Sequence, residues 1–137
     1  DVPAGPLTRR TLYEVLPFRN VLVTFQLSGK QVRDVMTHYL TKKPGIQMSG
    51  VTCRWRRTSN GGAEILELAV QGRPVEAASM YTCAASDYFI GEAARYIGMT
   101  IERPVFLRQT LFEVAQEAAQ KAKMIASPIE NRIQEVR

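Results

Sequence analysis

At Ser28 the hydrophobic pattern of the chain changes period, and that change limits the fold more than any other feature. Upstream, Asn20 to Leu27 is rich in strand formers, with Val21, Val23, Thr24 and Phe25. Downstream, Val32, Val35, Met36, Tyr39 and Leu40 fall at helical spacing along one stripe, while Arg33, Asp34, Thr37 and His38 lie off it. Ser28-Gly29 closes the strand, and Ser28 is placed to cap the helix. A strand that runs straight into an amphipathic helix must bury two apolar faces against one core, which requires layers of mixed type.

The flanking segments extend this alternation. Thr8 caps a short helix carrying Leu12, Val15 and Leu16, and Pro17 stops it. Beyond Lys42-Lys43-Pro44-Gly45 the pattern predicts a short strand at Ile46-Gln47-Met48, then a strand from Val51 to Arg57 with Val51, Cys53 and Trp55 on one face. Ser59-Asn60-Gly61-Gly62 turns the chain into a partner strand from Ala63 to Val70, giving an antiparallel hairpin, and Gln71-Gly72-Arg73-Pro74 is a second turn. Met80 to Ala85 reads as another strand, Ser86-Asp87 as a helix cap, and Tyr88 to Ile97 as one helix ended by Gly98. Thr110 and Glu113 form a capping-box pattern that opens a long helix through Leu111, Val114, Ala115, Ala118 and Ala122, ended near Ser127 by Pro128. The fold class expected is α+β (mixed α/β), a single domain of about four helices around a largely antiparallel sheet.

Several kinds of chemistry find no support. The only histidine, His38, projects off the apolar stripe and reads as a solvated surface residue, so nothing at local spacing makes a Ser-His-Asp or Cys-His set. Cys53 and Cys83 are too few for a disulfide framework or a four-ligand zinc site; they read as buried free thiols or as one disulfide. Asn60-Gly61-Gly62 lacks the Gly-Lys-Ser/Thr ending of a phosphate loop and leads into a strand. Arg54 and Arg56 share a face opposite Trp55, a solvated basic strand face in place of a nucleic-acid surface. The net charge of +5 favours anionic partners without choosing among them, and no apolar stretch approaches the ~20 residues of a membrane span. Asp1-Val2-Pro3-Ala4-Gly5-Pro6 reads as loop or linker.

Four ordered blocks resemble the C-terminal domain of the 5′-nucleotidases. Leu16-Pro17-Phe18-Arg19-Asn20, following Gly5-Pro6-Leu7-Thr8, is similar to the opening of that domain: glycine, a small or apolar residue, Thr, a short helix, then Pro-Phe and a strand. Gln47-Met48-Ser49-Gly50-Val51 resembles its Leu-Gln-x-Ser-Gly segment, and Tyr81 to Phe89 resembles its strand leading into Asn-Asp-Tyr/Phe-Leu. Pro128-Ile129-Glu130-Asn131-Arg132-Ile133 resembles its closing Glu-Gly-Arg-Ile.

The resemblance implies that residues 1–137 are the substrate-recognition domain of a larger hydrolase of nucleoside phosphates. An N-terminal metallophosphatase domain, absent from this chain, would hold two divalent metal ions and act as partner. By the same resemblance Phe18 and Tyr88 stack a nucleobase between them, with Phe89 as the alternative to Tyr88 and with Asn20 and Asp87 beside them. The expected ligand is a nucleotide or nucleoside, with no nucleic acid and no membrane span, and the expected location is periplasmic or extracellular. The chain alone is expected to be inactive, with no catalytic residue and no metal site. One departure stands out: Glu92-Ala93-Ala94-Arg95 occupies the place of a Gly-Gly-Asp-Gly loop whose aspartate binds ribose hydroxyls, and its residues favour continued helix. Glu92 or Asp87 is left as a stand-in. That departure keeps open two alternatives: recognition of another anionic ester, or a dimerisation or docking module that has lost nucleotide binding.

Overall fold

The computed structural model of the chain describes residues 4–43, 45–126 and 130–136. In chain order the elements are α1 (Arg9–Val15), β1 (Val21–Ser28), α2 (Gly29–Lys42), β2 (Val51–Arg57), β3 (Ala63–Val70), β4 (Arg73–Pro74), β5 (Met80–Ser86), α3 (Asp87–Gly91), α4 (Ala93–Ile97), β6 (Val105–Thr110), α5 (Leu111–Ala122) and β7 (Ile133–Glu135). Among the described residues the architecture is mixed α/β, with five helices and two sheets. One sheet has three strands in the order β5-β1-β6, and the other has four in the order β4-β3-β2-β7. All pairings are antiparallel except β2 with β7.

The change of period at Ser28 is the hinge between these layers. Ser28 Oγ accepts from Gln31 N while the Gln31 side chain accepts from Ser28 N, a complete capping box. Gly29 lies against the backbone of the segment before β5: its N–H donates to Ser79 O, Lys30 N donates to Ala77 O, and a Cβ at position 29 would overlap the Glu76 carbonyl. α2 then lays Val32, Val35, Met36 and Leu40 into the core with Phe25 and Leu27 of β1 and Val51, Cys53, Trp55 and Leu68 of the β2–β3 hairpin. Ala93 and Ile97 of α4 close the same cluster. Burial of such side chains is worth roughly 1.5–3 kcal/mol each, so this cluster carries most of the fold's apolar stabilisation.

The hairpin follows the period-2 pattern, with Val51, Cys53 and Trp55 inward and Thr52, Arg54 and Arg56 outward. Arg54 pairs with Glu67 and Arg56 with Glu64 across the strands, so the outward arginines are engaged in exposed ion pairs. Asn60 Oδ1 accepts from Gly62 N and Thr58 Oγ1 and so closes the turn. Cys53 is buried and Cys83 half-buried, both free; burial pushes both thiols up.

Five local expectations are corrected. Ile46-Gln47-Met48 forms no strand; Met48 O instead accepts from Arg132 Nη1 at 2.7 Å, a long-range contact that a three-residue pattern cannot reveal. Of the second turn, Arg73 and Pro74 fold back onto β3 as β4. The helix expected from Tyr88 to Ile97 breaks at Glu92 (φ −106°, ψ 12°) into α3 and α4. α5 ends at Ala122, where Lys123 takes φ 60°; Ser127 and Pro128 lie outside the described residues. His38 is half-buried against Gly98, with Nε2 3.4 Å from Arg95 O, because α4 packs across the flank of α2 that the helical stripe alone leaves open. Strands β6 and β7 add to the sequence reading. β7 lies beside β2 because Cys53 N donates to Arg132 O and Val136 N to Trp55 O.

Gly29→Ala is expected to destabilise the chain by about 1–3 kcal/mol, because the added methyl meets backbone that cannot rotate away. Gly91→Ala, where a Cβ would meet nothing within 4 Å, is expected to be neutral or to stabilise by about 0.4–1 kcal/mol. Urea denaturation of the two variants beside the parent chain measures both.

Candidate functional site

Three chain segments converge at one end of the three-stranded sheet. β1 starts there while β5 and β6 end there, as the pairings Leu22 with Ser86 and Val21 with Thr110 require. Each outgoing strand turns at once into a helix. Ser86 Oγ accepts from Phe89 N at 3.1 Å to start α3, and Thr110 with Glu113 makes the capping box that starts α5. Hydrogen bonding to Thr110, foremost from its backbone, holds the Glu113 carboxyl below its ordinary value.

Asn20 ties the three segments together. Its Nδ2 donates to Asp87 Oδ1 at 2.7 Å, and its carbonyl accepts from Leu111 N at 2.9 Å. The same Asp87 oxygen accepts from Tyr88 N at 2.9 Å, and Asp87 Oδ2 has no partner among the described residues. The loop carrying Phe18 and the first turn carrying Tyr88 are therefore fixed to one another through a charge-assisted hydrogen bond. Both rings stand in solvent, Phe18 at 74% exposure and Tyr88 at 59%. Large rings held outside the core on a tethered backbone are the informative exception to ordinary burial.

Phe89, the neighbour of Tyr88, is turned inward. Its ring stacks on Tyr96 with centroids 5.7 Å apart and planes 6° apart, and both pack against the core. Tyr96 also pushes the Tyr88 phenol up, first by hydrogen bonding and then by charge, with Glu92 adding and Arg95 opposing. The segment that replaces the glycine-aspartate loop thus presents Glu92 at the break and an exposed Arg95, whose guanidinium lies 5.6 Å over the Tyr96 ring and 4.0 Å from Glu92. Tyr96 escaped the sequence reading because its partner Phe89 lies across the Glu92 break, where helical spacing no longer applies. Among the described residues, no group of three His, Cys, Asp or Glu side chains could hold a metal ion.

These features define a mixed α/β domain in which the exposed rings of Phe18 and Tyr88 stand at the strand ends of the three-stranded sheet. The sequence profile described as "5'-nucleotidase, C-terminal domain" matches residues 1–99, and the chain belongs to that family. Among curated relatives, it is 28% identical over 106 residues to "Endonuclease YhcR" of Bacillus subtilis, covering 74% of this chain and 8% of that protein. It is 30% identical over 90 residues to "Protein UshA" of Salmonella pullorum, covering 64% of this chain and 16% of that one. The chain therefore spans less than a fifth of either relative. Its fold matches the 5′-nucleotidase precursor of Thermus thermophilus at TM-score 0.77 and 21% identity, over 98% of this chain and 29% of that one. It also matches the NAD nucleotidase of Haemophilus influenzae at TM-score 0.75 and 15% identity, over 94% of this chain and 26% of that one.

Asn20→Ala is expected to cost about 1–2 kcal/mol, since it removes a hydrogen bond to a carboxylate that stays half-buried. Because Asn20 links the two ring-bearing segments, the backbone amide signals around Phe18 and Tyr88 should shift together in the NMR spectrum of the variant. A change confined to the Phe18 loop would mean the two segments are held independently.

Proposed function

We propose that this domain recognises the base of a nucleotide, with Phe18 and Tyr88 as stacking platforms and Asn20 and Asp87 holding them in relation. The observation that carries the reading is the Asn20–Asp87 hydrogen bond, which joins two segments bearing rings that stand largely in solvent. Every base has a π-face, and stacking on an aromatic side chain is worth about 1–3 kcal/mol per base. Family membership and the fold shared with a 5′-nucleotidase support the nucleotide as ligand.

In this reading the chain is the recognition part of a phosphoric ester hydrolase. Phe18 and Tyr88 orient the base; Asp87 Oδ2 and Glu92 are the acceptors available to ribose hydroxyls. Cleavage belongs to a metallophosphatase domain elsewhere in the whole protein, whose two divalent ions would supply the activated water. Residence in the periplasm or outside the cell is part of the same proposal. Among the described residues no helix is long and apolar enough to cross a membrane. A second reading, recognition of a different anionic ester, is favoured by Arg95, a cation over the Tyr96 ring and next to Ala94, which stands where the family resemblance leads one to expect an aspartate.

Binding by the chain alone should be weak, with a Kd of about 1 mM or above, since two stacking contacts must offset the entropy of association. Calorimetric titration with AMP is expected to show Phe18→Ala and Tyr88→Ala each weakening binding by about 1–3 kcal/mol. Phe89→Leu, a change on the core side of the helix, should leave affinity as it is. Unaltered affinity in both ring variants would rule the base clamp out.

A further inference from the structure

Phe18 has a second neighbourhood, on the side of the sheet end where α1 meets α5. Tyr13 of α1 packs edge-to-face on Phe112 of α5, with centroids 6.2 Å apart and planes at 68°. Neither helix has a fully buried residue, so the two helices meet over a groove instead of a core. The groove has a volume of about 860 Å³ and is open to solvent. Three arginines line it (Arg9, Arg10 and Arg19), together with three rings (Tyr13, Phe18 and Phe112).

The charges are largely uncompensated. Among the described residues Glu113 is the one acidic residue in the lining, and its Oε2 already accepts from Thr110 N and Oγ1. Arg10 is paired with Glu14 in an exposed i,i+4 contact, which is weak. Arg9 lies 5.7 Å over the Phe112 ring, and Arg19 makes no ion pair among the described residues. Planar guanidinium groups interleaved with aromatic faces suit a ligand that alternates phosphate and flat base. An acidic peptide would use the charges and leave the rings bare.

We propose that this groove is a subsite for a single-stranded nucleic acid, taking the phosphate and base that follow a terminal base stacked on Phe18. The proposal rests on the reading of Phe18 as a base platform and adds the substrate class: a strand of two or more nucleotides. The sequence alone offers only the solvated face of Arg54 and Arg56, which reads against a nucleic-acid surface. The fold gathers Arg9 and Arg10 from α1, Arg19 from the following loop and Phe112 from α5, positions separated by most of the sequence. The volume, Phe18's surroundings included, falls within the range of clefts that take a small organic ligand.

The test compares calorimetric affinities of the chain for thymidine monophosphate, tetrathymidylate, a 5′–5′ pyrophosphate-linked dinucleotide and hexaglutamate, all at low salt. Tetrathymidylate is expected to bind about tenfold or more tightly than the mononucleotide, as one further stacked base predicts. Its binding should weaken with salt at a log–log slope of about −1 to −2, as release of counterions from two phosphates requires. Arg9→Gln/Arg10→Gln, exposed changes that spare the core, should bring tetrathymidylate down to the mononucleotide level. Equal affinity for strand and mononucleotide overturns the proposal. So does an excess that survives in the arginine variant, or a dinucleotide or hexaglutamate that gains as much as the strand. Tyr88→Ala separates this result from the clamp: it should weaken mononucleotide and strand alike. If it weakens neither while the strand keeps an arginine-dependent excess, the two-ring clamp fails and the groove stands.

Discussion

The hydrogen bond from Asn20 to Asp87 is the interaction on which the candidate site depends. It joins residues that are distant in sequence and brings the entry to β1 against the exit from β5. The Asn20 carbonyl adds the exit from β6 by accepting from Leu111 N. Remove that node and the three strands still pair, but the loop bearing Phe18 and the helix turn bearing Tyr88 lose their common reference. The bond is strong because its acceptor is a carboxylate, and it is directional because the same oxygen also takes the Tyr88 N–H.

The core serves this end of the molecule without reaching it. α2 is pressed against β1 and the β2–β3 hairpin, and Gly29 lets the strand-to-helix turn sit directly on the backbone before β5. That contact fixes β5 against β1 along its length, so that Ser86 arrives opposite Leu22 and the following turn falls beside Asn20. Phe89 and Tyr96, stacked below, hold α3 and α4 to the core and leave Tyr88 outside. α1 and α5 are built differently, resting on one another through Tyr13 and Arg9 against Phe112 and leaving their basic, aromatic sides open. The division is physically sensible: a rigid half carries the strands, and an open half carries groups suited to a ligand.

Much of this was readable from the residues because it is local. Ser28 before Gln31 and Thr110 before Glu113 announce capped helices, and the alternation of Val51, Cys53 and Trp55 announces a half-buried strand. What escaped was decided by distant partners. β7 exists because Cys53 supplies a donor to Arg132, His38 is covered because α4 crosses α2, and the helix after Asp87 breaks at Glu92 although its residues favour helix. The positions of Phe18, Asn20, Asp87 and Tyr88 came from resemblance to a family. Their composition alone shows a loop aromatic, a polar strand entry and a helix cap. The groove on the far side of Phe18 had no local signal at all, since its walls come from opposite ends of the chain.

If Phe18 and Tyr88 form a clamp, one ligand base touches both rings. Intermolecular nuclear Overhauser effects in the complex of the chain with AMP measure that contact directly. A clamped base gives cross-peaks from the adenine H2 and H8 protons to the ring protons of Phe18 and of Tyr88 in the same saturated sample. Cross-peaks to one ring alone, or to neither while AMP is bound elsewhere on the domain, would contradict the clamp.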